Sequence, residues 1–122
     1  MGLDMYAMVT CEEIDTEIDV KIDSAHTLIH QWRKHPNLHG WMEQLYRRKG
    51  GTAEIFNQIG LKLTMSDLRA LEQAVDSGTL PETQGFLFGQ SDGTEYEDDL
   101  VFLHKAMNAI GDGLSLYYFA WW

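Results

Sequence analysis

Cysteine is nearly absent from this chain of 122 residues, which holds a single one, Cys11. One thiol cannot form an intramolecular disulfide, and it excludes a metal site built from cysteines alone. Small secreted domains usually carry paired cysteines, so the composition favours a reducing compartment. Because Cys11 precedes two glutamates, which disfavour a thiolate, we expect it to be inert.

Long apolar runs and a basic leader are also missing. The first residues, MGLD, carry no positive charge and no apolar stretch, so we expect no secretory signal. No segment approaches the roughly 20 apolar residues that a membrane-spanning helix needs. The composition, 44% hydrophobic and 23% charged, is nevertheless typical of a folded protein. We therefore expect a soluble cytoplasmic chain with its own core, organised as a single domain over residues 1–122.

Positive charge is scarce, since 9 lysines and arginines face 19 aspartates and glutamates, for a net charge of −10. Such a surface repels phosphates, which disfavours direct binding to nucleic acid or to a membrane and favours a basic partner. The chain also lacks a Walker-type phosphate loop, a dinucleotide fingerprint and a serine nucleophile elbow. These absences exclude the large kinase and dehydrogenase classes, and we predict no cofactor.

The hydrophobic periodicity predicts an α+β fold. Strands are predicted over residues 3–10, 59–63, 85–89 and 114–122, and residues 11–24 form either an edge strand or a solvated loop. Helices are predicted after a cap at Ser24, from Pro36 to the glycines at 50 and 51, after a capping box at Thr64 and Asp67, and over residues 97–110. We expect a small antiparallel or mixed sheet, with about four helices packed mainly on one face and the two terminal strands paired.

Cations, histidines and tryptophans are concentrated between residues 26 and 49. Such a region suits an anionic small molecule or nucleotide. The candidate ligand-binding residues are Arg33, Lys34, His35, His39 and Trp41. In the alternative interpretation, the cations neutralise neighbouring acids and lie at helix ends, where each contributes about 0.3–1 kcal/mol.

Two histidine pairs, His26 with His30 and His35 with His39, have the four-residue spacing that places metal ligands on one helical face. Neither pair belongs to the His-Glu-x-x-His pattern of zinc proteases, and we predict no metal site. A further alternative is a small hydrolytic enzyme that uses His39 with Glu43 or a distant acid.

Carboxylates cluster in residues 12–23 and 92–99, the second without the spacing of a calcium-binding EF-hand loop. They are candidates for contact with a protein partner, and the residues proposed are Glu12, Glu13, Asp15, Asp98 and Asp99. The aromatic C-terminal strand is either a packed core strand or the edge of a homodimer.

Four segments together resemble a family of small phage and prophage proteins of uncharacterised function: the opening MGLDMY, the tryptophan-bearing WRK and LHGW within residues 32–41, the LT and DL pairs within residues 63–68, and the aromatic C-terminus. The resemblance implies an accessory phage product in the cytoplasm of a bacterial host, and it supplies no site residues. Proteins of this kind bind host factors. We therefore predict a non-enzymatic protein that binds and inhibits or redirects a host factor, including defence systems. The alternative is a protein that sequesters an anionic small molecule or nucleotide through residues 32–41.

Overall fold

The computed structural model of the protein describes residues 2–85 and 88–122. Its elements, in chain order, are β1 (Asp4–Thr10), β2 (Thr27–Arg33), α1 (Pro36–Arg48), β3 (Leu61–Leu63), α2 (Met65–Ser77), α3 (Tyr96–Gly111) and β4 (Ser115–Trp121). The four strands form one antiparallel sheet in the order β2-β1-β4-β3. The predicted α+β class is confirmed, as is the pairing of the first strand with the last.

The helix predicted after Ser24 is wrong, because residues 27–33 form strand β2, and the described residues therefore contain three helices instead of about four. The apolar stripe of Leu28, Ile29 and Trp32 fits a helix, but His30 and Trp32 are buried while Gln31 is exposed, which is the two-residue period of a strand. Pairing with β1, which sets Met5 opposite Trp32, decides between the two. Tertiary contacts here override a local helical signal.

Local signals predict most other elements well. The side chain of Thr64 accepts the backbone N–H of Asp67, and the Asp67 carboxylate accepts the backbone N–H of Thr64, so the predicted capping box is confirmed. Pro36 begins α1, and Gly78 ends α2 in the left-handed conformation that glycine adopts freely. The strand predicted over residues 85–89 includes Phe86 and Leu87, which lie outside the described residues.

The main core lies between the three helices and one face of the sheet, called here the inner face. Inner-face residues such as Met5, Trp32 and Tyr118 join a single apolar cluster with Leu68 of α2 and Phe102 of α3. Alternate residues of the same strands point to the opposite, outer face. The helices are thus packed on one side only, and the outer face needs another cover.

Strand β4 is an inner strand, paired with β1 on one side and β3 on the other. Pairing of two copies through the edge of the aromatic C-terminal strand stays a prediction that this arrangement disfavours, because β1 pairs along the whole of β4 and β3 pairs with residues 116–118 on its other edge. The structure shows no helix, within the part of the chain it describes, with the length and apolar character needed to cross a membrane.

Candidate functional site

A chain segment that crosses the outer face shapes the candidate site. After β1, the chain bonds to the free edge of β3, where Lys62 donates its backbone N–H to Glu17 at 3.0 Å and Val20 donates to Gly60 at 2.9 Å. It then returns to β2, which is the opposite edge of the sheet. Residues 20–26, the crossing segment, must therefore pass over the outer face.

The crossing segment covers only one half of that face. Val20 packs against Met8 and Tyr117, and the Tyr117 hydroxyl lies 2.7 Å from Nδ1 of His26. Farther along the same strands, Tyr6 lies opposite Phe119, and Asp4 lies opposite Trp121. These two rows form the half of the outer face that the crossing segment leaves open.

The open half forms an aromatic groove of about 790 Å³ between the crossing segment and the sheet. The rings of Tyr6 and Phe119 stack at its floor, with centroids 4.9 Å apart. Trp121 is 56% exposed and Leu28 is 45% exposed, although both are large apolar side chains. A contiguous exposed patch of this kind is typical of a surface that binds another molecule.

Charges of both signs lie at the rim of the groove. Residues 11–24 carry six carboxylates and one lysine, and both Lys21 and Asp23 line the groove itself. At the other end, Asp4 lies 3.7 Å from the Arg33 guanidinium. Burial and the neighbouring Asp4 raise the pKa of Tyr6, so its phenol stays a neutral hydrogen-bonding group. The groove therefore combines an apolar floor with a rim of both charges, and the segment that leads into its wall, residues 11–24, is acidic overall.

Replacing Gly60 by alanine is expected to detach the wall of this groove. A Cβ at position 60 would lie 2.4 Å from the carbonyl oxygen of Val20, a backbone atom that cannot rotate away. We expect a loss of about 1–3 kcal/mol and several-fold faster tryptic cleavage after Lys21. Gly111→Ala is the control, because nothing lies within 4 Å of its Cβ position. Equal cleavage of the two variants would show that the segment is held by other contacts.

The five residues predicted to bind an anionic ligand do not converge on one cavity. Arg33, the last residue of β2, and Lys34 after it are exposed, whereas His35 is buried. Trp41 belongs to the core, and His39 is buried with its ring stacked on Phe56 and its Nδ1 atom 2.7 Å from the Tyr118 hydroxyl. Binding of an anionic molecule by these five residues stays a prediction, and their separate positions do not support it.

Acids interleave with the cations of the same region. Lys49 lies 2.9 Å from Glu17 and 2.6 Å from Asp67, and Arg47 lies 3.2 Å from Glu43. These contacts agree with the alternative interpretation, in which the cations neutralise neighbouring acids. The alternative of a hydrolytic enzyme predicts that Glu43 acts together with His39. In the structure, Glu43 accepts a hydrogen bond from Arg47 instead.

The predicted acidic contact residues divide into two groups. Glu12, Glu13 and Asp15 are exposed at the start of the acidic loop, residues 11–24. Asp98 is exposed on α3 and lies 3.0 Å from His30. Asp99 is buried, where its carboxylate accepts the indole N–H of Trp32, and it is not part of an exposed acidic surface.

A second cavity, of about 240 Å³, lies where the start of α1 meets the start of α3. It contains a chain of hydrogen bonds: Ser91 Oγ lies 2.8 Å from His35 Nδ1, and His35 Nε2 lies 2.8 Å from Asp99 Oδ2. The other carboxylate oxygen of Asp99 accepts the indole N–H of Trp32 at 3.2 Å. Sequence reasoning missed Ser91, because it lies 56 positions from His35 and belongs to no motif.

No cluster of histidine, cysteine, aspartate or glutamate in residues 2–85 and 88–122 has the arrangement of a metal site. Comparisons of the chain with protein-family models, with curated proteins and with solved structures find no match. Functional assignment therefore depends on the groove and the second cavity themselves.

Proposed function

We propose that this protein is a binding module that holds an apolar segment of a basic partner protein in the groove of the outer face. The observation that carries the proposal is the exposure of Trp121 and Leu28 beside the stacked rings of Tyr6 and Phe119. Large aromatic side chains at the centre of an interface supply most of its binding free energy.

The negative net charge of the protein favours a basic partner. With a net charge of −10 and an acidic loop at the groove, the surface attracts lysine and arginine and speeds encounter with a basic protein. The same net charge opposes a second copy of this chain, because two copies repel each other. It also opposes nucleic acid, in spite of the aromatic floor.

The resemblance to small phage and prophage proteins extends the proposal to a partner from the bacterial host. Complexes that bind nucleic acid, including those of defence systems, carry the basic surfaces that an acidic protein suits. Occupation of such a surface would inhibit or redirect the complex without any chemical step. This part of the proposal depends on the resemblance, whereas the groove and its charge do not.

Synthetic peptides test the chemistry of the groove. An apolar core of leucine and phenylalanine is flanked by lysines in one peptide and by glutamates in the other, and each is titrated into the labelled protein. We expect the lysine-flanked peptide to shift the NMR signals of Trp121 and Leu28 and to bind at least tenfold more tightly, because its charge complements the net negative charge of the protein. Equal affinities, or shifts confined to other surfaces, would overturn the proposal.

Matched double variants test the surface with a protein partner captured from bacterial cytoplasmic extract. Leu28→Ser with Trp121→Ser removes two exposed apolar groups from the groove, and we expect at least a tenfold loss of affinity. Ile55→Ser with Val101→Ser removes two groups that are 60% and 49% exposed and lie outside the groove, and it should bind normally. Equal binding by both doubles, or capture that depends on dimerisation of this chain, would contradict the proposal.

A further inference from the structure

We propose that Ser91, His35 and Asp99 form a second site, a serine-nucleophile centre that hydrolyses small, uncharged carboxylic esters. The three side chains are joined in the order serine, histidine, aspartate by two hydrogen bonds of 2.8 Å. A nucleophile within hydrogen-bond reach of a base, which a carboxylate orients, is the arrangement that activates a serine hydroxyl. The site lies apart from the groove and is independent of the binding function.

The contacts of Asp99 set the position of the proton on His35. Because Asp99 is buried and its Oδ1 atom accepts the indole N–H of Trp32, its Oδ2 atom is held as an acceptor for His35 Nε2–H. The Nδ1 atom of a neutral ring then carries a lone pair and accepts the hydroxyl proton of Ser91. The histidine is thus oriented as a general base toward Oγ.

The start of helix α1 supports negative charge on the nucleophile. The backbone N–H of Asn37 donates to Ser91 Oγ at 3.1 Å, and Asn37 lies in the first turn of a helix of 13 residues. The positive end of the helix dipole therefore faces the oxygen that becomes nucleophilic.

The cavity beside Ser91 defines the substrate class. Its walls include Val75, Leu80 and Tyr96, which suit an apolar acyl chain, and its volume of about 240 Å³ limits that chain to a short one. The Glu95 carboxylate lies 3.8 Å from His35 Nδ1 and would repel an anionic substrate. A short, uncharged ester fits both restrictions.

The reaction proceeds in two balanced halves. Ser91 Oγ attacks the ester carbonyl carbon while its proton passes to His35 Nδ1. The ester C–O bond then breaks, and the departing alkoxide takes that proton and leaves as an alcohol. In the second half, water attacks the acyl-serine and gives its proton to Nδ1, the bond from carbon to Oγ breaks, and the proton returns to Ser91 as the carboxylic acid leaves.

A fluorophosphonate probe tests the nucleophile directly, since its P–F bond breaks as a bond from phosphorus to a serine oxygen forms. We expect one adduct per native chain, mapped to Ser91, together with hydrolysis of p-nitrophenyl acetate above the buffer rate. Ser91→Ala should lose both signals, and Ser66→Ala, which removes an exposed serine on α2, should keep both. A native chain that takes no adduct at Ser91, or takes it no faster than the urea-unfolded chain, would overturn the site without affecting the groove.

Asp99→Asn separates a catalytic relay from a purely structural one. The amide oxygen can still accept from Trp32, but the amide N–H₂ then faces His35 Nε2. The ring proton is therefore forced onto Nδ1. A protonated Nδ1 atom cannot accept the hydroxyl proton of Ser91. We expect folded Asp99→Asn protein to be labelled at least 100-fold more slowly, as loss of the correct tautomer in such a relay predicts. Labelling at the wild-type rate in the folded variant would refute the relay.

Discussion

Replacing Asp99 by alanine should lower the free energy of unfolding by about 3–4 kcal/mol, because two buried donors lose their acceptor together. The carboxylate of Asp99, only 3% exposed, accepts from Trp32 Nε1 and from His35 Nε2. Those donors belong to the end of β2 and the start of α1, and Asp99 belongs to the first turn of α3. Alanine therefore removes a side chain whose hydrogen bonds connect the three elements.

Asp98→Ala is the matched control. Both aspartates lie in the first turn of α3, so both interact with the helix dipole to a similar degree. The Asp98 side chain is 52% exposed in its contact with His30, and exposed pairs contribute at most about 1 kcal/mol. Urea unfolding followed by tryptophan fluorescence measures both variants. A loss below about 1 kcal/mol for Asp99→Ala would mean that the buried donors find other partners.

This stabilising role does not compete with the proposed chemistry. A carboxylate that holds a histidine ring in one orientation stabilises the fold and sets the tautomer through the same hydrogen bond. The two roles separate at Ser91, which is half-buried and lies beside an open cavity. Its hydroxyl contributes little to the core, so Ser91→Ala tests chemistry while Asp99→Ala tests stability.

Elements with strong local signals could be predicted from the sequence, and those that depend on distant partners could not. The capping box at Thr64, the proline that begins α1 and the alternation in β1 are all read within a few residues. The segment Thr27–Arg33 fits helix or strand equally well until β1 is placed beside it. The acidic loop before it has no periodicity that would reveal its path across the sheet.

The candidate sites could be predicted less well than the fold, because they also depend on residues that are distant in the sequence. The groove arises because the crossing segment covers Met8 and Tyr117 and leaves Phe119 and Trp121 open, a division that alternation along β4 alone does not show. His39 and Trp41 were included among the predicted ligand-binding residues because of their residue types. Both are buried on the side of α1 that packs against the core. Aromatic and histidine residues serve cores and sites alike, so composition could not separate the two uses.

Acid should destabilise this protein through His39 in particular. Burial lowers the pKa of His39 from 6.5 to about 4, and a hydrogen bond to the backbone of Phe56 opposes this shift only in part. Between pH 6.5 and pH 4, His39 is protonated in the unfolded chain and neutral in the folded chain. The contribution of the neutral ring is therefore complete above about pH 6.5 and is lost as the pH falls toward 4. Since one pKa unit corresponds to about 1.4 kcal/mol, the loss from this residue is about 3 kcal/mol.

The difference between wild type and His39→Asn isolates this contribution, because the carboxylates titrate in both. Asparagine retains a short polar group that can bond to the buried Tyr118 hydroxyl, which lies 2.7 Å from Nδ1 in the wild type. Unfolding free energies are measured by urea denaturation at pH 7 and pH 4, and the wild type should lose about 3 kcal/mol more than the variant. His104→Asn, the same substitution at an exposed position on α3, is the control for the loss of an imidazole as such. Parallel curves for the wild type and His39→Asn would mean that the ring is protonated inside the fold, with Tyr118 and Phe56 compensating its charge.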